Sequence, residues 1–168
     1  IDLKNISMWF MASTPQGQPN MFPEAQLIDT SFSNLYAYGK NRAKLAWYII
    51  DPLFYDIRGG FRPSNVDKNE ISKNDVRQVL QREVFPNKDN YLNNIPTNIA
   101  VLNLAYYPDE KGSYNFDVES NPYSDGINEE GDLVNPESRW GGIMREIETS
   151  DFEASNIEYI EFWMMDPF

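Results

Sequence analysis

Three stretches of this chain set polar or aromatic side chains at spacings that could do chemistry, and each has a plainer reading beside it. Asp117 to Asp132 (DVESNPYSDGINEEGD) gathers carboxylates around glycines, the make-up of a calcium loop, since Ca²⁺ takes hard oxygen ligands. Aligned on an EF-hand with Asp125 fifth and Gly126 sixth, Asn121 falls first, Tyr123 third and Asp132 twelfth. Tyr123 offers no carboxylate and the twelfth place calls for Glu. An acidic surface loop is the preferred reading. Arg139-Trp140-Gly141-Gly142 could let a ligand approach the backbone; the plainer expectation is a bulge or positive-φ turn opening a strand over Ile143–Ile147. It has neither the spacing of a dinucleotide loop nor the Lys of a P-loop. Trp9, Trp47, Trp140 and Trp163 could stack on sugars, as in a carbohydrate-binding β-sandwich module, but large aromatics dominate cores and are expected there. A glycosidase needs two carboxylates about 5–10 Å apart. With 26 acids in the chain, that criterion selects nothing. No catalytic, cofactor-binding or metal-ligating residue is therefore assigned, and the chain is read as non-enzymatic.

Composition removes further classes. The 168 residues include no His and no Cys. The missing histidines take away the commonest general base and metal ligand, with every His-containing triad. The missing cysteines exclude thiolate catalysis and Cys-ligated zinc, and leave the redox compartment undecided. Residues 1–100 carry 11 Lys+Arg against 10 Asp+Glu, and the remainder 3 against 16, for −12 overall. An acidic half repels phosphate backbones and anionic lipid, so nucleic acid is not an expected partner. Read plainly, the acids solvate a surface; read sharply, they form a rim that steers passing chains. The length suits a single β-rich domain over 1–168. There is no initiator Met, no secretory signal and no apolar run long enough for a spanning helix.

The elements that would hold these residues are mostly strands. Ile1–Ala12 reads as an opening strand, followed by a Pro/Gly/Asn-rich loop over Ser13–Pro23. Ala43–Ile50 is an apolar run stopped by Asp51-Pro52, Ile99–Tyr107 a second stopped by Pro108, and Asn156–Met165 a third stopped by Asp166-Pro167. Two of them close on a similar Trp…Asp-Pro-aromatic stop, Trp47 to Phe54 and Trp163 to Phe168, which fits an old repeat or coincidence equally. One amphipathic helix is expected over about 72–85. Ser72 and Asp75 resemble a capping start, Val76, Val79, Leu80 and Val84 form a stripe, and Pro86 ends it.

The strands carry an argument about neighbours. An antiparallel sheet with one wet face alternates apolar and polar residues. Here Leu45, Trp47 and Ile49 oppose Ala46, Tyr48 and Ile50; Ile157, Tyr159, Glu161, Trp163 and Met165 oppose Glu158, Ile160, Phe162 and Met164, both faces largely apolar. Burying a large side chain contributes roughly 1.5–3 kcal/mol, so a wet face would forgo several such terms per strand. Both faces are expected to be covered, in part by something outside this stretch. Lipid-facing barrel strands would alternate over about ten residues, so the segment itself is not expected to cross a membrane.

Several blocks, in order, resemble one family. They are Asn41–Tyr55 (NRAKLAWYIIDPLFY), Val76–Asn87 (VRQVLQREVFPN), Val101–Asp117 (VLNLAYYPDEKGSYNFD) and, most closely, the block from Asn135 to Phe168, with Pro15, Gly17, Phe22, Pro23, Glu24 and Ala25 in the early loop. Together they resemble the SprA family (Sov in some species), the outer-membrane translocon of the type IX secretion system of Bacteroidota, which also supports gliding motility. Ser113 departs from the pattern, which usually has Pro there. The resemblance implies a galactose-binding-like β-sandwich or jelly roll, incomplete at its C-terminal end, inserted in a much larger barrel protein of the outer membrane. It would face the periplasm, the pore or the cell surface. Implied partners are the rest of the barrel, a PorV-like lateral-gate protein, a plug protein and secreted cargo. The resemblance implies no catalytic residues, cofactor or metal.

Overall fold

The structure, a computed structural model, describes residues 5–27, 36–56, 60–87, 97–147, 149, 151–159 and 161–165. Its regular elements are short: β1 (Phe10–Met11), β2 (Ala43–Tyr48), β3 (Val79–Leu80), α1 (Gln81–Val84), β4 (Asn98–Ile99), β5 (Asn103–Lys111) and β6 (Ile143–Met144). Short 3-10 turns lie between them, among them Pro23–Leu27, Pro52–Tyr55 and Pro136–Ser138. The strands form three two-stranded sheets, β1 with β6, β2 with β5 and β3 with β4. The fold is mainly β with few helices. The chain divides into two compact units, one of Ile1–Ile6, Tyr48–Asn103 and Ile147–Phe168, the other of Ser7–Trp47 and Leu104–Glu146.

The second unit is built on β2 and β5. Gly112 N–H donates to Arg42 O at 3.1 Å, and Lys44 Nζ bonds the Glu110 carboxylate. As one strand runs forward from its start, the other runs back from its end, so the pair is antiparallel. The segment after Arg139 then joins the two sheets. Trp140 takes a bond from Ala43 N–H (2.8 Å) and donates its own N–H to Asn41 O (3.1 Å), while Ala12 N–H donates to Gly142 O (2.9 Å). From there β6 pairs antiparallel with β1, Phe10 opposite Met144 and Met11 opposite Ile143. The strand expected over Ile143–Ile147 is thus only two residues long. Its glycines do not serve a positive φ, which occurs at Gly17, Gly126 and Gly131 instead. Gly141 is small because a Cβ there would sit 3.1 Å from Leu45 Cβ and from the Tyr106 ring.

The first unit holds β3, paired antiparallel with β4 (Val79 opposite Ile99), and α1. The helix expected over 72–85 is here a single turn. Ser72 does not cap it; its hydroxyl donates to Lys68 O at 3.0 Å. Val79 and Leu80 are drawn into the ladder with β4, and Glu83 reaches back to the Leu80 N–H at 2.8 Å, so the helix starts after the strand. Pairing of the two valine-leucine positions outweighs the helical stripe. The run Ile99–Tyr107 is likewise broken. β4 ends at Ile99, and β5 continues through Pro108 to Lys111. A two-stranded ladder leaves alternate N–H groups unpaired, so Pro is tolerated at such a position.

Two more expectations change. Ile1–Ala12 contributes β1 and a 3-10 turn over Ile6–Met8, its first four residues lying outside the described ones. Asn156–Met165 forms no strand among its described residues. Ile157 N–H turns back to Phe152 O (2.9 Å), with Asn156 in the left-handed region at φ 52°. A strand exists only where its N–H and C=O groups find a partner strand, and the described residues supply none there.

Candidate functional site

A polar network occupies the middle of the second unit, where an apolar core would be ordinary. The only buried apolar side chains described are Ala25, Ala43 and Leu133. Beside them are buried Thr14, Glu24, Asn41, Arg42, Asn115, Asp117, Ser124 and Arg139. Glu24, fully enclosed at 0% exposure, accepts from Asn41 Nδ2 at 3.0 Å and from Trp140 Nε1 at 2.7 Å. Asn41 Oδ1 accepts from Arg139 Nη1 (3.1 Å), and Asn41 Nδ2 also donates to Tyr123 O (2.7 Å).

Arg139 is the hub. Its Nε and Nη2 donate to Val134 O at 3.0 and 2.7 Å, Nη2 also to Gly126 O at 3.0 Å, and Nη1 to Lys40 O (3.1 Å) and Ser124 Oγ (2.8 Å). The planar fork therefore pins the acidic loop to the start of β2. Asn115 repeats the device on the other side, donating to Lys40 O and Arg42 O at 2.9 and 2.8 Å. Burial lowers the Arg139 pKa, opposed by Asp117, Asp125 and Glu24. Satisfied groups in such a network rigidify the fold and specify its geometry.

Arg42 differs. It is 3% exposed, and burial lowers its pKa. Nη1 and Nη2 donate to Ser113 O (3.1 Å) and Ala12 O (3.2 Å), and the guanidinium lies 5.2 Å from the centroid of the Trp140 ring. Its Nε has no hydrogen-bond partner. Among the described residues no carboxylate oxygen lies within 4.0 Å of it. Arg42 lines a cavity of about 340 Å³ whose wall also includes Met11, Lys44, Leu45, Trp47 and Lys111. Lys44 is already bound to Glu110 and sits 4.8 Å from the Tyr107 ring centroid. Lys111 has no ion-pair partner among the described residues.

The stretches singled out in the sequence fare unevenly. In Asp117–Asp132 the first carboxylate is taken by Lys40 (3.0 Å) and Asn121, and Asp125 accepts from Asn135 Nδ2 (3.0 Å). Among the described residues no three acidic side chains converge as a metal site. The loop does turn at Gly126, φ 74°, where the EF-hand alignment placed its glycine. Trp140 is half-buried, edge-on to Phe22 at 5.5 Å and bonded through its indole N–H to Glu24, so it is part of the network. Trp163 departs from the expected core position at 77% exposure. The exposed rings that do cluster are Tyr36, Tyr114 and Phe116, with centroids 5.5 and 5.3 Å from Tyr36. Sequence reading missed Arg42 and its cavity; the available signal was a cation inside the apolar run NRAKLAWY.

No family model matches the chain, and no curated protein matches it.

Proposed function

We propose that this chain is a non-enzymatic structural segment of a type IX secretion translocon of the SprA/Sov family, supporting protein export and gliding motility. The family reading is supported by the ordered blocks from Asn41, Val76, Val101 and Asn135. One structural observation favours a role completed by neighbours. Among the described residues almost no apolar side chain is buried, while Phe10, Phe61, Leu104, Phe116, Tyr159, Phe162, Trp163 and Met164 are all exposed. Area of that kind marks an interaction surface in a working protein and an aggregation hazard in an isolated piece. In this reading the segment belongs to a galactose-binding-like sandwich at the outer membrane, packed against the remainder of the barrel, with PorV-like and plug proteins nearby. Its acidic loops face the path of secreted cargo. Packing is its mechanism, and no cofactor takes part.

Residues 1–168 expressed alone test this. The expected result is strong binding of an apolar dye, self-association rising with concentration, and a broad melt. A sharply melting monomer that leaves the dye dark overturns the reading. A carbohydrate-binding module is the second reading, favoured by the exposed Tyr36, Tyr114 and Phe116 rings. Glycan-array binding lost on Tyr36→Ala would establish it in place of the first.

A further inference from the structure

No carboxylate of the described residues pairs with Arg42 or lines its cavity, and the geometry points to a binding site for a carboxylate carried on an apolar body. The starting fact is an uncompensated charge. Buried cations are paired in nearly all folded proteins, because removing one from water is costly. Arg42 is enclosed, yet its two terminal nitrogens meet only the neutral carbonyls of Ser113 and Ala12, and its Nε meets nothing. Glu24 supports the charge only from beyond 4.0 Å, its own oxygens bonded to Asn41 and Trp140. Lys111, on the same cavity wall, has no anionic partner among the described residues either.

The distribution of charge across the unit sharpens this. Ser7–Trp47 and Leu104–Glu146 contain 12 Asp+Glu and 6 Lys+Arg. Three of those six cations, Arg42, Lys44 and Lys111, line one cavity, and no acid lines it. Lys44 is neutralised by Glu110, so the uncompensated charge comes from Arg42 and Lys111.

The wall also selects the kind of anion. Met11, Leu45 and Trp47 supply apolar surface for the rest of the ligand. No backbone nest is free for a phosphate, since Gly112 N–H is committed to Arg42 O and Ala43 N–H to Trp140 O. The Arg42 Nε–H is shut off from solvent, so the Lys111 ammonium makes the contact and the enclosed guanidinium adds its field, a combination that suits a monoanion. At about 340 Å³ the space is near the lower end of ligand pockets, which run from roughly 300 to 1,000 Å³. Such a carboxylate occurs at the C-terminus of a peptide ending in an apolar residue and in free aryl or alkyl acids. This inference is independent of where the chain works.

Titration of the whole chain with N-acetylphenylalanine, its amide and 3-phenylpropionate tests the site, followed by calorimetry and by the arginine Nε–H resonances in NMR. Both acids are expected to bind saturably, with the amide about tenfold weaker or worse. The Arg42 Nε–H resonance should move with occupancy. Lys111→Met should weaken the acids several-fold, while Lys73→Met, at a residue that does not line the cavity, leaves them unchanged. Tighter binding of N-acetylphenylalanine than of 3-phenylpropionate identifies a peptide terminus as the source, and equal or weaker binding identifies a free acid. Equal affinity for acid and amide, an unmoved Arg42 resonance, indifference to Lys111→Met, or no saturable binding overturns the site.

Discussion

Arg139 bears more of the second unit than any apolar residue does. Removing its fork orphans the Val134 carbonyl, and leaves the Lys40 and Gly126 carbonyls only their second donors, Asn115 Nδ2 and Val134 N–H. An orphaned group costs about 1–3 kcal/mol, so Arg139→Met should destabilise the unit by at least ~1 kcal/mol in denaturant unfolding. Arg139→Lys should rescue little, since an ammonium cannot span the same acceptors. Glycine substitutions separate two causes of strain. Gly17 and Gly126 share a positive φ, but a Cβ on Gly17 meets nothing within 4 Å, while one on Gly126 meets Glu119 C at 2.7 Å. Gly17→Ala should cost about 1 kcal/mol, the left-handed penalty alone. Gly126→Ala should cost clearly more, and equal losses in thermal melts would refute the clash. The EF-hand alignment singled out Gly126 as its sixth residue, but what the glycine does is let the chain pass Glu119, which only the folded loop reveals.

At the scale of elements, α1 hangs on one carboxylate. Leu80 N–H is the first cause holding the Glu83 pKa below the ordinary carboxylate range, and Arg77 adds to it. A carboxyl depressed in the folded state stabilises fully above its unfolded pKa and loses that contribution as pH falls through the folded value. The Leu80 and Phe85 amide resonances should therefore shift together on acidification, and Glu83→Gln should abolish that step. Independent titration of the two amides would sink the idea. β2 was legible because its aromatic and apolar residues lie between Asn41-Arg42 and Asp51-Pro52. The stripe through Val76, Val79, Leu80 and Val84 was misleading. Periodicity reports which residues can share a face, and the ladder partner Asn98–Ile99 decides whether two of them join a strand instead.

Over the whole molecule, exposure of large apolar side chains is the dominant property. Phe162 and Met164 are 72% and 79% exposed, so replacing them with Ser should move folding stability by no more than about 0.5 kcal/mol. Self-association of the chain, followed by sedimentation, should fall all the same. A matching loss of stability would mean that these side chains are packed in solution. The two-faced apolar runs already implied such surface, because their residues outnumber the faces a short chain can cover. They did not imply that the buried places would go to Glu24, Asn41, Arg42 and Arg139.

By itself the sequence determined the mainly β character, the turn-rich spacing, the absence of His and Cys chemistry, and the excess of apolar side chains over places to bury them. These depend on composition and short-range spacing, which are complete in one dimension. Tertiary structure decided that Arg139 joins loop to strand across 99 positions to Lys40, that Trp140 turns inward to Glu24, and that Arg42 is enclosed with no carboxylate of the described residues paired to it. Those outcomes depend on which distant backbone carbonyls converge, and no local pattern of residues encodes that convergence.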